Sequence, residues 1–216
     1  MRAADQLRVT EIFHSLQGES RPVGLPTVFV RLTGCPLRCV YCDTEYAFHG
    51  GQLMGLDEII EQTGTYGTRF VCVTGGEPLA QPNCRVLLQR LADRGYEVSL
   101  ETSGALDISD IDERTTIVMD IKTPASGEVE RNRWENLALL KPQDQLKFVI
   151  SDRDDYDWSK TMLDEHRMTD RCPVLFSPAW NHGIDAALAE WILEDRLQVR
   201  FQIQLHKILW GDEPGR

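Results

Sequence analysis

The feature that most limits what this chain can fold into is a recurring pair: a short β-branched run, then a helical or irregular stretch. Thr27 to Leu32, Phe70 to Thr74, Val98 to Thr102, Ile117 to Ile121, Leu146 to Ile150, Val174 to Ser177 and Phe201 to Leu205 read as strands. Between them, 57–62, 82–94, 133–140, 158–167 and 183–195 carry apolar residues at helical spacing, as Val86, Leu87 and Leu91 do. That alternation predicts parallel strands covered by helices. Runs such as Phe70-Val71-Cys72-Val73 are apolar throughout, which predicts a sheet buried on both faces. The stretch from Thr102 to Ile117 is too short for a full helix and predicts an irregular connection. Closing eight such units takes about 250 residues. With 216 residues, the expectation is an α/β fold, a partial or shortened barrel of about six parallel strands. No repeat, low-complexity segment or linker interrupts it, so 1–216 reads as one domain.

Polar residues gather where these strands end. Gly34-Cys35 follows the first strand, Thr74-Gly75-Gly76-Glu77 the second, Glu101-Thr102-Ser103 the third and Asp120-Ile121-Lys122 the fourth. Ser177-Pro178 and Gln204-Leu205-His206-Lys207 continue the pattern. In a parallel sheet these ends share one rim, the usual place for a site. For any one of them, the bland alternative is a strand that stops where a polar loop begins.

Composition narrows the partners. Lys and Arg number 23 against 34 Asp and Glu, a formal net charge of −11, which repels phosphate backbones and anionic membranes. Direct nucleic-acid binding is not expected. No apolar run approaches the roughly 20 residues of a membrane span, and Met1 to Asp5 lacks a signal-peptide layout. The expected location is the cytoplasm.

Three of the six cysteines are crowded together: Cys35, Cys39 and Cys42. Cys72, Cys84 and Cys172 stand alone, as buried thiols do. In a reducing compartment the crowd reads as metal binding. Three thiolates suit an iron-sulfur cluster with one iron free of protein ligands, whereas electron-carrier ferredoxins use four cysteines. A structural zinc site also wants four ligands and would need His49 or a distant cysteine. Zinc and chance clustering stay open on spacing alone.

Together with Thr74-Gly-Gly-Glu-Pro78, the sequence Cys35-Pro-Leu-Arg-Cys39-Val-Tyr-Cys42 resembles the radical S-adenosylmethionine superfamily. The resemblance implies that the open iron of a 4Fe-4S cluster chelates S-adenosylmethionine and cleaves it to methionine and a 5'-deoxyadenosyl radical. The cofactors carry the hard chemistry. Gly75 and Gly76 would let backbone approach the methionyl group, and Glu77 would balance its ammonium.

Further stretches are similar to one family of that superfamily, the 7-carboxy-7-deazaguanine synthases. They are Ile12 to Glu19, Val28 to Leu32, Cys42-Asp43-Thr44, Glu101 to Gly104, Asp120 to Pro124, Lys147 to Ile150, Phe176 to Pro178 and Gln204 to Lys207. The resemblance implies a carbon-nitrogen lyase. It would contract 6-carboxy-5,6,7,8-tetrahydropterin to 7-carboxy-7-deazaguanine with loss of ammonia, for queuosine or another deazapurine. Carried over residue by residue, Leu16, Gln17, Gly18, Glu19, Arg31, Thr74, Glu101 and His206 would bind substrate, with Glu101 and His206 the catalytic candidates. Thr44 would hold Mg2+. Tyr41, Cys42, Asp43, Gly76, Ser103, Asp120, Ile121, Lys122 and Ser177 would meet S-adenosylmethionine. A homodimer and a reductant such as flavodoxin or ferredoxin are implied in the same way.

The plain readings are a solvated turn for Gln17 and Glu19, a strand-edge charge for Arg31, a packing aromatic for Tyr41 and a helix cap for Asp43-Thr44. Some family members lengthen the first cysteine gap; this chain keeps the short one. It also continues past His206 to Arg216, and the sequence leaves open whether a terminal carboxylate there reaches the pocket. The competing functions are a glycyl-radical-activating enzyme, which shares the cysteines and Gly-Gly-Glu-Pro but not the ends at 16–19 and 204–207, a zinc-bound structural module, and an electron carrier.

Overall fold

The structure is a computed structural model and describes residues 5–213 and 215. Residues 1–4 and Arg216, on which the signal-peptide expectation and the terminal-carboxylate question bear, lie outside the described residues. The strands are β1 (Gln6–Leu16), β2 (Pro26–Leu32), β3 (Gln52–Gly55), β4 (Phe70–Gly75), β5 (Glu97–Thr102), β6 (Thr116–Ile121), β7 (Gln145–Ile150), β8 (Val174–Pro178) and β9 (Arg200–Phe201). They form one open sheet in the order β3-β1-β2-β4-β5-β6-β7-β8-β9. From β2 to β9 every neighbouring pair is parallel, while β1 runs antiparallel to both β2 and β3. The parallel part therefore holds seven strands, and β3 and β9 leave the barrel unclosed.

The helices are α1 (Leu56–Gly64), α2 (Cys84–Asp93), α3 (Arg153–Glu165), α4 (Asp185–Glu194) and α5 (Leu205–Trp210). Helix α3 begins earlier than its apolar spacing predicted, because Asp152 caps it by accepting from the Asp155 backbone N–H at 2.9 Å. No helix follows β5, as expected, and 133–140 is only a 3-10 segment at Trp134–Leu139. The predicted last strand is shortened to Arg200–Phe201, and Leu205, read as its end, opens α5. No helix among the described residues is long and apolar enough to cross a membrane.

The strands alternate more than their composition suggests. Val30, Leu32, Val71, Val73, Leu100, Ile117, Met119, Ile121, Leu146, Phe148 and Phe176 pack in one core with Ile59, Leu87, Leu91, Tyr156, Leu188 and Ile192 of the helices. One residue along each strand, the other face carries Arg31, Thr74, Glu101, Asp120 and Lys147. The expectation of strands buried on both faces holds for β4, β6 and β8, where Val71 to Thr74, Ile117 to Met119 and Val174 to Pro178 are all buried, but the inner face is not apolar throughout. Only the helix-covered face is apolar at the C-terminal ends of the strands, because the inner face there lines a cleft.

Candidate active site

The loop after β2 carries Cys35, Cys39 and Cys42, all free and half-buried. It is held from both sides. The Gly34 N–H donates to the Ala47 carbonyl at 2.8 Å, the Val40 N–H to the Ser126 carbonyl at 3.0 Å, and the Arg38 N–H to Glu128 Oε1 at 2.5 Å. The 123–126 segment is fixed in turn by Asp155 of α3, which accepts from Thr123 Oγ1 and from the N–H groups of Ala125 and Ser151. Burial pushes all three thiols up; Lys122 opposes this at Cys35 and Cys39.

The end of β4 presses on the same loop. A Cβ on Gly76 would lie 2.4 Å from the Gly34 carbonyl oxygen and 2.7 Å from Cys35 Cβ. On Gly75, at φ +152°, it would lie 2.2 Å from the Leu32 carbonyl oxygen. Only glycines allow this approach. Glu77 does not reach the cleft. It is fully buried, and its carboxylate accepts from Leu79 N–H, Thr102 Oγ1, Ser103 N–H and Ser103 Oγ at 2.5–3.0 Å. Its role is to fix the Ser103 turn, so the expectation that it faces an ammonium is corrected.

The cleft itself holds ≈ 1360 Å³, open mouth included. Charged groups form a chain across its wall. Arg31 Nε donates to Glu11 Oε1 at 2.7 Å, and its guanidinium lies over Phe13 and Tyr46. Thr74 Oγ1 donates to Glu101 Oε2 at 2.8 Å, and Gln17 Nε2 to Glu101 Oε1 at 3.4 Å. Lys122 Nζ stands 3.2 Å from Asp120 Oδ2, and Lys147 Nζ bridges Asp120 Oδ1 at 3.4 Å and Glu19 Oε2 at 2.5 Å. Burial works against the charge on Asp120, yet Lys122 and Lys147 hold its carboxyl below the usual range. Burial likewise opposes the charge on Lys147, while Asp120 and Glu19 push its ammonium well up. Tyr41 is pushed to about 12 by burial and stays neutral.

The mouth is made by two segments far apart in sequence. Leu205 N–H donates to the Gly18 carbonyl at 3.0 Å, and a Cβ on Gly18 would meet His206 Nδ1 at 2.0 Å. Gln202 exchanges two hydrogen bonds with the Ser20 backbone, and Gln204 Nε2 donates to Glu19 Oε1 at 2.8 Å. Burial lowers the His206 pKa despite Glu19 and Asp43, so the imidazole is neutral at pH 7. Thr44 Oγ1 donates to Asp43 Oδ1 at 2.7 Å and makes no cap bond to the 3-10 turn after it, so the helix-cap reading does not hold.

Comparison with known proteins places this geometry. The profile of the Radical SAM superfamily matches residues 29–126. The chain is 42% identical to the 7-carboxy-7-deazaguanine synthase of Koribacter versatilis, with 96% of this chain and 98% of that one covered. It is 43% identical to that of Chlorobaculum tepidum, with 96% of each covered. The chain belongs to the 7-carboxy-7-deazaguanine synthase family. Its fold is similar to the crystal structure of QueE from Escherichia coli, with TM-score 0.74 and 21% identity over 93% of this chain and 95% of that one.

Membership of the radical SAM superfamily brings a 4Fe-4S cluster and S-adenosylmethionine, and the residues present fit both. Three free thiols line one cleft, and the Gly75-Gly76 backbone closes on the loop that carries them. Among the described residues no three His, Cys, Asp or Glu side chains crowd one point. A cluster does not need them to, since each thiolate takes a different iron.

Of the residues singled out from sequence, the cleft brings together Leu16, Gln17, Gly18, Glu19, Arg31, Tyr41, Asp43, Thr44, Thr74, Gly76, Glu101, Ser103, Asp120, Lys122 and His206 with the three cysteines. Two do not line it. Ile121 points into the helix-covered core, opposite Asp120 and Lys122, and Ser177 is buried at 2% exposure beside Val149. Lys147, Gln204 and Trp180 line the cleft without having been assigned a role there. For Lys147 the signal was the spacing Gln145-x-Lys147-x-Val149, which puts a lysine on the inner face of a strand.

Proposed function

We propose that this chain converts 6-carboxy-5,6,7,8-tetrahydropterin to 7-carboxy-7-deazaguanine with release of ammonia, as a carbon-nitrogen lyase of deazapurine biosynthesis. The observation that carries this reading is the shared cleft. Three thiols line it together with the acceptors of Glu19 and Glu101 and the Arg31 cation. Cluster and S-adenosylmethionine supply the radical that starts the chemistry. Loss of ammonia accounts for the whole difference in composition between substrate and product.

The chain's own residues bind and orient. Glu19 and Glu101 accept from the N–H edge of the pterin, Gln17 offers both donor and acceptor, and Arg31 pairs with the substrate carboxylate. Thr74 holds Glu101 in place. Neutral His206, packed on Gly18, covers the ring and excludes water. Thr44, which lines the cleft, would hold Mg2+ through an oxygen. Backbone around Tyr41, Cys42 and Asp43 meets the adenine of S-adenosylmethionine, Gly76 its methionyl end, and Ser103, Asp120 and Lys122 its ribose and carboxylate.

The same reading takes 1–216 as one domain, working in the cytoplasm as a homodimer with a flavodoxin or ferredoxin as electron donor. The activating-enzyme alternative is not favoured. The clasp of 17–20 by 202–206 narrows the mouth around a small molecule.

The test is an anaerobic assay of iron-sulfide-reconstituted protein with dithionite, Mg2+, S-adenosylmethionine and 6-carboxytetrahydropterin, read by mass spectrometry. The expected result is 7-carboxy-7-deazaguanine. 5'-Deoxyadenosine without that product, from protein with an intact cluster, would discard the substrate.

A further inference from the structure

Lys147 stands at the meeting point of the two halves of the cleft. Glu19, 128 positions away, comes from the loop after β1, on the side assigned to the pterin. Asp120, one residue before the end of β6 and on the side assigned to S-adenosylmethionine, pairs directly across the sheet with Lys147. One ammonium touches both carboxylates, and Lys122 neutralises the other oxygen of Asp120. Glu101 adds its charge from β5, two strands away. Only 12% of the Lys147 side chain is exposed. Burying an ammonium between carboxylates gains a fold little over apolar packing of the same volume, so stability does not explain a lysine here.

We propose that Lys147 is a positioning residue that locks the substrate-facing carboxylate of Glu19 to the cofactor-facing carboxylate of Asp120. The pterin is then held in register with S-adenosylmethionine. This rests on the functional reading above. Lys147 and Gln204 each occupy one oxygen of Glu19, which leaves each oxygen a second lone pair for the N–H edge of the pterin. Movement at Asp120 when S-adenosylmethionine binds reaches Glu19 through a single side chain.

The test is calorimetric titration of reconstituted, unreduced enzyme with 6-carboxytetrahydropterin, with and without S-adenosylmethionine, so that no turnover occurs. In the parent, S-adenosylmethionine should tighten pterin binding by about fivefold or more. In Lys147→Met, pterin affinity should fall by about tenfold or more, and the effect of S-adenosylmethionine on it should shrink toward none. Lys147→Arg, whose fork spans both carboxylates, should restore most of each. A merely structural lysine would lower the melting temperature and leave the coupling between ligands as it was; that result overturns the inference. If Lys147→Met does not keep its cluster, Glu19→Gln decides, since it breaks the same link and must lose the same coupling. A parent that fails to bind the pterin overturns the functional reading and this inference together. A parent that binds it beside an unaffected Lys147→Met overturns this inference alone.

Discussion

On the outer face of β4, β5 and β6, Val71, Val73, Leu100, Ile117 and Met119 pack against helices and are almost wholly buried. On the inner face of the same strands stand Thr74, Glu101 and Asp120, each tied to a charged or hydroxyl partner. The two faces are one residue apart along each strand, yet they answer to different demands. The outer face removes apolar surface from water, which stabilises the sheet in proportion to area. The inner face keeps desolvated charges, which a fold optimised for stability alone would replace. Their presence is explained by ligands that need them.

The comparison is broken most severely at the cysteine loop. Cys39→Ala removes one of the three proposed cluster ligands from a half-buried position, so S-adenosylmethionine cleavage should fall to background while the protein stays soluble. 5'-Deoxyadenosine measured by chromatography, with circular dichroism as the control, checks both halves. Retained turnover would contradict the ligand assignment.

The outer face should respond in the opposite way. Leu100 is fully buried in the core, so Leu100→Ala should cost about 2–5 kcal/mol in denaturant unfolding. The affinity of the folded fraction for S-adenosylmethionine should stay unchanged. Gly76→Ala sits between the two cases, because the added Cβ meets the Gly34 carbonyl and Cys35. We expect a loss of about 1–3 kcal/mol together with incomplete cluster loading, read as iron content per chain.

How much of this was legible in the sequence differs by face. Outer-face residues announced themselves as β-branched runs, so β2, β4, β5, β6, β7 and β8 were found close to their true bounds. Strand β1 was missed because Arg8, Glu11 and His14 interrupt its apolar residues and its partners are antiparallel. Strand β3 is a four-residue edge that no pattern marks. The apolar ending Phe201 to Leu205 misled for the converse reason: its strand-like composition continues past the point where pairing with β8 stops. The cysteines and glycines of the site were legible because their spacing is chemistry in itself. Glu77 was misplaced because sequence order puts it at the rim but cannot say which way the carboxylate turns. Lys147 was hidden for a related reason: a lysine within a strand looks like a solvent-facing charge until the sheet curls around it.

The faintest expected difference between the faces is in pH dependence. Asp120 is held below the ordinary aspartate range by Lys122 and Lys147, although burial pulls the other way. Its folded pKa is thus lower than its unfolded value of about 3.9. Between the two values the unfolded chain binds more protons, so stability rises with pH there. The contribution is complete above the unfolded value and is lost as pH falls through the folded one. Asp120→Asn should therefore be less stable than the parent at neutral pH, with the gap closing as the medium is acidified through that window. The deficit of Leu100→Ala involves no titrating group and should show no such closure. Urea midpoints of the three proteins followed from neutral to acid pH make the check. A gap for Asp120→Asn that stayed constant would mean that the inner-face carboxylate is not held ionised by its lysines.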